Sequence, residues 1–140
     1  MVTLQILTPD DIKRLVPLIQ ELNPERDKQT IETNQIEMFK IANYRCFGLF
    51  KEDHLIGVSS GWITVRHYSG KQIEIDNVII PLAYQSRGYG KQLIELIEQW
   101  SKEQGCQTIE LNTYVTNARS HKFYFDLGFK ILGFHFFKSL

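Results

Sequence analysis

Two glycines and two basic residues lie where an apolar strand is predicted to meet a helix. The segment 85–91 reads QSRGYGK and follows the apolar run NVIIPLA. A helix that begins at such a turn leaves backbone N–H groups free, and its dipole favours negative charge there. Glycine lets the main chain approach a phosphate because no Cβ intervenes. The segment therefore predicts an anion site made of backbone amides, although a tight turn without a ligand would use the same residues.

Two carboxylates lie two positions apart in the strand that leads to this turn. Glu74 and Asp76 belong to the run QIEIDNVII. Side chains alternate between the two faces of a strand, so both carboxylates are predicted on one face, with Ile73 and Ile75 on the other. A solvated strand face that carries ordinary charges would show the same pattern. The pair is a candidate site whose role the pattern alone leaves open.

The sequence excludes several other kinds of site. A dinucleotide-binding fingerprint needs a third small residue where Leu93 stands, and a P-loop needs a GK[ST] triplet that is absent. No pair of histidines has the spacing of metal ligands. Cys46 and Cys106 lie far apart without a CxxC spacing, so we predict two structural thiols and neither a zinc site nor a disulfide.

Length and charge limit the class of protein. A chain of 140 residues suits one domain that spans residues 1–140. Its 16 basic and 16 acidic residues balance, which gives no support for a nucleic-acid or membrane partner. No run approaches the ~20 apolar residues of a membrane helix, and the first residues lack the layout of a signal peptide. We therefore expect a soluble protein in a reducing compartment, the cytoplasm.

Apolar and amphipathic runs predict elements in the order βααβββαβαβ. Thr8 and Pro9 have the residue types that begin a helix, and Gly105 has the type that ends one. The predicted strands are 2–7, 45–50, 55–68, 72–80, 108–115 and 129–140. The predicted helices run from Thr8 to Asn23, from 27 to 42, from the glycine turn to Gly105, and from Asn117 to Gly128.

The glycine turn resembles the cofactor turn of the GNAT superfamily of N-acetyltransferases. The family pattern is Gln or Arg, two variable residues, Gly, one variable residue, then Gly or Ala, and residues 85–90 match every specified position. EIDNVII resembles the strand that precedes this turn in the family, and NARSHKFYFDLGF resembles the family's second motif. The match extends from about Arg45 to the end of the chain. It implies an α/β fold with a central, mostly antiparallel sheet of six to seven strands and about four flanking helices.

The resemblance implies that acetyl-CoA binds as co-substrate, without a metal. Main-chain groups of 78–80 would pair with the pantetheine arm, and the amides of 85–91 would hold the pyrophosphate. Asn117 and Phe123 match contacting positions as well, although their residue types alone predict a helix cap and a core ring. The implied cofactor-binding residues are Val78, Ile79, Ile80, Gln85, Ser86, Arg87, Gly88, Tyr89, Gly90, Lys91, Asn117 and Phe123.

The resemblance also assigns the acid and base of an acetyl transfer to an amine. Tyr124 matches the general acid that protonates the departing thiolate, whereas an aromatic packing on the sheet is the alternative. Glu74 aligns with a base of histone-type members, and Asp76 aligns with a glutamate of several small-amine members. Either carboxylate would deprotonate the ammonium group, directly or through water.

The acceptor is poorly specified by the sequence. The resemblance implies that its pocket draws on residues 23–26, on the region of Tyr114 and on the C-terminal strand. A small-molecule amine and a protein amine both remain open, as does a homodimer. The alternative function is an acyl-CoA-binding module without catalysis, which acts as a sensor or partner domain.

Overall fold

The computed structural model describes all residues from 1 to 140, in two compact units, residues 1–110 and 111–140. Every helix is too short or too polar to traverse a lipid bilayer. The strands are β1 (Val2–Leu7), β2 (Tyr44–Lys51), β3 (His54–Arg66), β4 (Gly70–Ile79) and β5 (Thr108–Leu111). The helices are α1 (Ile12–Leu22), α2 (Lys28–Phe39), α3 (Tyr89–Glu103) and α4 (Ala118–Asp126).

Helix ends follow the residue types that predicted them. The Thr8 hydroxyl accepts a hydrogen bond from the amide of Asp10, and the Asp11 carboxylate accepts one from the amide of Thr8, which together begin a 3-10 turn before α1. Gly105 follows α3 with φ of +84°, a conformation that glycine adopts without a steric cost. The predicted helix boundaries are confirmed to within a few residues.

The five strands form one sheet in the order β1-β2-β3-β4-β5, and the first four pair antiparallel. The amide of Gln107 donates to the carbonyl of Lys71 over 2.7 Å, which joins the start of β5 to the start of β4. A helix connects these two strands, as a parallel crossover requires. Since β4 has 10 residues and β5 has 4, β4 extends past the end of β5.

The two faces of the sheet carry different helices. On one face, Leu15 of α1 packs in a buried cluster with Tyr44, Cys46 and Val58 of β2 and β3. On the other face, the ring of Phe47 in β2 meets Trp100 of α3 edge to face, with centroids 5.0 Å apart. Burial of these side chains in two layers fixes the strand register.

Two strand predictions were wrong. The sheet has five strands instead of six to seven, because residues 129–140 form no strand, and the fifth strand ends at Leu111 instead of residue 115. The segment 129–140 is rich in strand-forming residue types, but a strand also needs a neighbour for its backbone groups and a buried face. In this segment Phe136 is 91% exposed.

Candidate functional site

The glycine turn lies between the end of β4 and the start of α3, the place in which the sequence predicted it. Gly88 is the N-cap of α3 and has φ of +81°, and Ser86 also has a positive φ, of +61°. Gly88 has no side chain that could cap the helix, so the N-cap residue leaves the first amides of α3 to other partners, such as solvent or a ligand. A Cβ built on Gly88 would meet no atom within 4 Å. The turn therefore presents uncapped amides beside open space, at the positive end of a 15-residue helix.

Side chains around the turn divide into structural and exposed groups. The Gln85 amide donates to the carbonyl of Ile80 over 2.9 Å, which closes the turn on the end of β4. The Lys51 ammonium of β2 donates to the Tyr89 hydroxyl over 3.1 Å. Arg87 is exposed, and Lys91 makes only a surface ion pair with Glu95 at 3.7 Å. Three cations, Lys51, Arg87 and Lys91, thus lie at or near the uncapped helix end.

A bulge interrupts β4 just before the turn. Val58 pairs with Ile79 and Ser60 pairs with Asp76, so Ser59 alone opposes two residues of β4. Asn77, the first of these two, has φ of +51°. Val78, the second bulge residue, and Ile80 are half-buried, whereas Ile79 between them is buried. Bulges bend a strand and change the direction of its groups, often beside a functional site.

Glu74 and Asp76 share one face of the sheet, as predicted. Glu74 lies opposite Trp62, and Asp76 lies opposite Ser60, while Ile73 and Ile75 are buried on the other face. Directly opposed residues of antiparallel strands point to the same side. Asp76 is exposed, and one of its oxygens accepts the amide N–H of Asn77 over 2.8 Å.

A cavity of about 250 Å³ lies on this same face, under α1 and α2. Its walls come from both helices, from the connection between them, from β2 and β3, and from the bulge of β4. The predicted acceptor segment 23–26 contributes Asn23 and Arg26 to this cavity. Ser60 lines the cavity and pairs directly with Asp76, so one carboxylate of the pair lies next to a residue of the cavity wall.

Two buried polar residues of the cavity floor, Gln35 and Ser60, are joined through the Tyr44 hydroxyl. The Gln35 amide donates to the Tyr44 hydroxyl over 2.9 Å, and that hydroxyl lies 2.7 Å from the Ser60 hydroxyl. Burial raises the pKa of the Tyr44 hydroxyl. Burial also raises the pKa of the neighbouring Cys46 thiol to about 11, so the thiol is protonated at neutral pH and is a poor nucleophile. The floor is therefore polar but uncharged.

The second unit holds the remaining predicted residues. Asn117 caps α4, since its side-chain oxygen accepts the amide N–H of Ser120 over 3.1 Å. The half-buried Tyr124 ring meets Phe123 edge to face at 5.1 Å and Phe129 at 5.6 Å. The cap and the aromatic cluster agree with what these residue types predict by themselves, and the roles that the resemblance implies stay predictions.

Sequence reasoning missed three contributors to these surfaces. Lys51 reaches the turn from β2, Asn77 makes the bulge, and Tyr44 organises the cavity floor. The bulge could have been predicted from the Asp-Asn pair inside an apolar strand, because Asn tolerates the left-handed conformation that a bulge uses. No local pattern marks Lys51 or Tyr44, because their hydrogen-bond partners, Tyr89 and Ser60, lie 38 and 16 residues away along the chain.

Comparison with known families agrees with this geometry. The acetyltransferase (GNAT) family model matches residues 12–129. The chain belongs to this family. A similar curated protein is an uncharacterized N-acetyltransferase, YhdJ of Bacillus subtilis (strain 168), which is 23% identical over 137 residues, or 97% of this chain and 96% of that protein.

Solved structures show that this GNAT family member has the family's fold. One is the aminoglycoside N-acetyltransferase AAC(6')-Iy in complex with CoA, with a TM-score of 0.85, 18% identity and coverage of 100% of this chain and 95% of that chain. Another is an aminoglycoside acetyltransferase from an uncultured soil metagenomic sample in complex with sisomicin, with a TM-score of 0.78, 17% identity and coverage of 99% and 96%. At these identities the likeness concerns the fold alone.

Proposed function

We propose that this chain is an acetyl-CoA-dependent N-acetyltransferase that acts on an amine of a small molecule or a protein. The observation that carries the proposal is the uncapped start of α3, where Gly88 with φ of +81° leaves the backbone open to a ligand. Membership of an acetyltransferase family, and a structural neighbour that contains CoA, support the same ligand.

The residues present fit an extended nucleotide thioester. In our proposal the first amides of α3 and the turn 85–88 hold the pyrophosphate, with Arg87 and Lys91 adding positive charge. Within residues 1–110, the part of β4 that extends past β5 has a free edge, to which the amides of a pantetheine arm would pair through 78–80. Asn117 and Phe123 are assigned to the cofactor on the family pattern.

Three residues are assigned to proton transfer during direct attack of the amine on the thioester. Bound acetyl-CoA supplies the acetyl group and a thiolate leaving group. Glu74, with Asp76 as support on the same strand face, takes the proton of the ammonium group so that its nitrogen can attack. Tyr124 gives its phenolic proton to the sulfur as the C–S bond breaks. The protein thereby gains one proton at the carboxylate and loses one at the phenol.

The acceptor and the setting complete the proposal. Two structural neighbours are aminoglycoside acetyltransferases, which favours a small amine. Both cysteines are free, which suits a reducing compartment such as the cytoplasm.

The test is to incubate the protein with acetyl-CoA and a panel of amines while free thiol is followed. Thiol release that depends on an amine, with the N-acetyl product identified by mass spectrometry, is the expected result. Coenzyme A binding without thiol release for any amine would favour the non-catalytic binding module, and absence of coenzyme A binding would refute both functions.

A further inference from the structure

The cavity under α1 and α2 contains one charged side chain. Arg26 is the only charged residue that lines the cavity, and its walls contain no Asp, Glu, Lys or His. The other polar groups are amides and hydroxyls, among them Asn23, Asn34 and Ser59. Leu15 and Met38 are among the apolar residues that complete the walls. A pocket of this composition favours a ligand with a negative group and an apolar part.

The guanidinium of Arg26 is available to a ligand. It makes no hydrogen bond or ion pair, and its backbone is held in place because the amide donates to Asn23 and the carbonyl accepts from Gln20. The adjacent Asp27 carboxylate is occupied as the cap of α2, where it accepts the amide and the hydroxyl of Thr30 at 2.7 and 3.1 Å. That backbone hydrogen bond holds the pKa of Asp27 below its usual value.

The cavity has a carboxylate beside its wall as well as the Arg26 cation. Asn77 lines the cavity together with Arg26, and the backbone amide of Asn77 donates to the Asp76 carboxylate. Asp76 is also directly opposite the cavity residue Ser60. A molecule with an ammonium group near Asp76 and a carboxylate at Arg26 would match both charges.

We propose that the acceptor is a small amine that also carries a carboxylate, an amino-acid-like zwitterion, and that Arg26 binds this carboxylate. The inference rests on the proposed function and deepens it by naming the substrate class. A polycationic amine of the aminoglycoside kind is disfavoured, because the cavity offers it no carboxylate within its walls and places Arg26 against it. The volume of about 250 Å³ also suits a ligand smaller than the drug-sized molecules of ordinary pockets.

The kinetic test compares acids with their amides. Leucine, methionine and phenylalanine are each assayed beside their carboxamides, and beside one aminoglycoside, with the wild type and with Arg26→Ala. We expect Arg26→Ala to lower kcat/KM about 30-fold for the acids, or about 2 kcal/mol at ~1.4 kcal/mol per factor of ten. The carboxamides should change less than about threefold, since they lack the charge that Arg26 binds. Because each compound is compared with itself, differences in amine basicity cancel.

The control variant is Arg66→Ala, which removes an exposed arginine at the end of β3, outside the cavity. It should leave both classes of acceptor unchanged. Equal losses for acid and amide in Arg26→Ala, or an aminoglycoside preferred over every acid, would overturn the inference while the acetyltransferase assignment stands.

A binding test does not depend on catalysis. Calorimetry of the free protein with N-acetyl-leucine and N-acetyl-leucinamide should show tighter binding of the acid, and Arg26→Ala should remove that preference. Arg26→Lys should keep part of it, because lysine supplies the charge without the planar fork. If no amine releases thiol, the proposed function fails, and this measurement still decides whether Arg26 binds carboxylates. Absence of any preference for the acid in the wild type would overturn the inference.

Discussion

The conformation of Gly88 allows the anion site to be tested separately from the stability of the fold. Gly88 precedes α3 and Gly105 follows it, with nearly equal φ values of +81° and +84°. A Cβ at Gly88 would meet no atom within 4 Å, and one at Gly105 would meet only the end of the Lys71 side chain, at 4.0 Å. Alanine at either position is therefore strained by the backbone conformation and not by crowding.

The two alanine variants should lose the same stability but differ in ligand affinity. Left-handed backbone costs a non-glycine residue ~1–2 kcal/mol. For a chain of this length that cost corresponds to a fall of about 3–8 °C in the melting temperature. At Gly88 the new methyl group also projects into the space beside the uncapped amides. Loss of one hydrogen bond to a charged phosphate, ~1.5–3 kcal/mol, predicts coenzyme A binding weaker by about 10- to 100-fold.

Calorimetric titration with coenzyme A, together with thermal unfolding of each variant, gives both quantities. Gly105→Ala should bind coenzyme A like the wild type. Gly88→Ala and Gly105→Ala should have the same melting temperature. If Gly88→Ala also binds coenzyme A with wild-type affinity, the turn is not part of the ligand site and the central argument for the function fails.

Three further predictions concern the proton-transfer groups and a buried thiol. Tyr124→Phe keeps the ring but deletes the proton donor, so turnover should fall about 10²-fold or more with coenzyme A affinity preserved; undiminished turnover would leave Tyr124 a packing residue. Glu74→Gln should depress the rate most at neutral pH and less at high pH, where free amine is abundant, whereas Asp76→Asn should have the smaller effect. Wild-type pH profiles for both variants would exclude both carboxylates as the base. Burial raises the pKa of Cys46 from 9.0 to about 11, so its neutral thiol contributes stability that is fully present below pH 9 and is lost as pH rises through 11. Denaturant unfolding of Cys46→Ala should therefore show a smaller alkaline decline than the wild type, and parallel curves would contradict the shift.

Local residue types were sufficient for much of the architecture. The cap at Thr8, the glycine after α3 and the alternation of Glu74 and Asp76 with isoleucines each reflect interactions within a few residues, which a sequence displays directly. The strand predicted at 129–140 failed for the complementary reason. Its residue types favour a strand, but pairing with a neighbour decides whether one exists, and pairing is not a local property.

The sequence by itself determined the order of elements as far as α4, the glycine turn at the start of α3 and the family to which they point. Only the tertiary structure decided which side chains share a surface. Lys51 meets Tyr89 across 38 residues, Tyr44 joins Gln35 to Ser60 under the helices, and Arg26 faces a cavity otherwise without charge. The physical reason is that helix caps and strand alternation arise from short-range backbone geometry, whereas a cavity arises from the packing of elements distant in sequence.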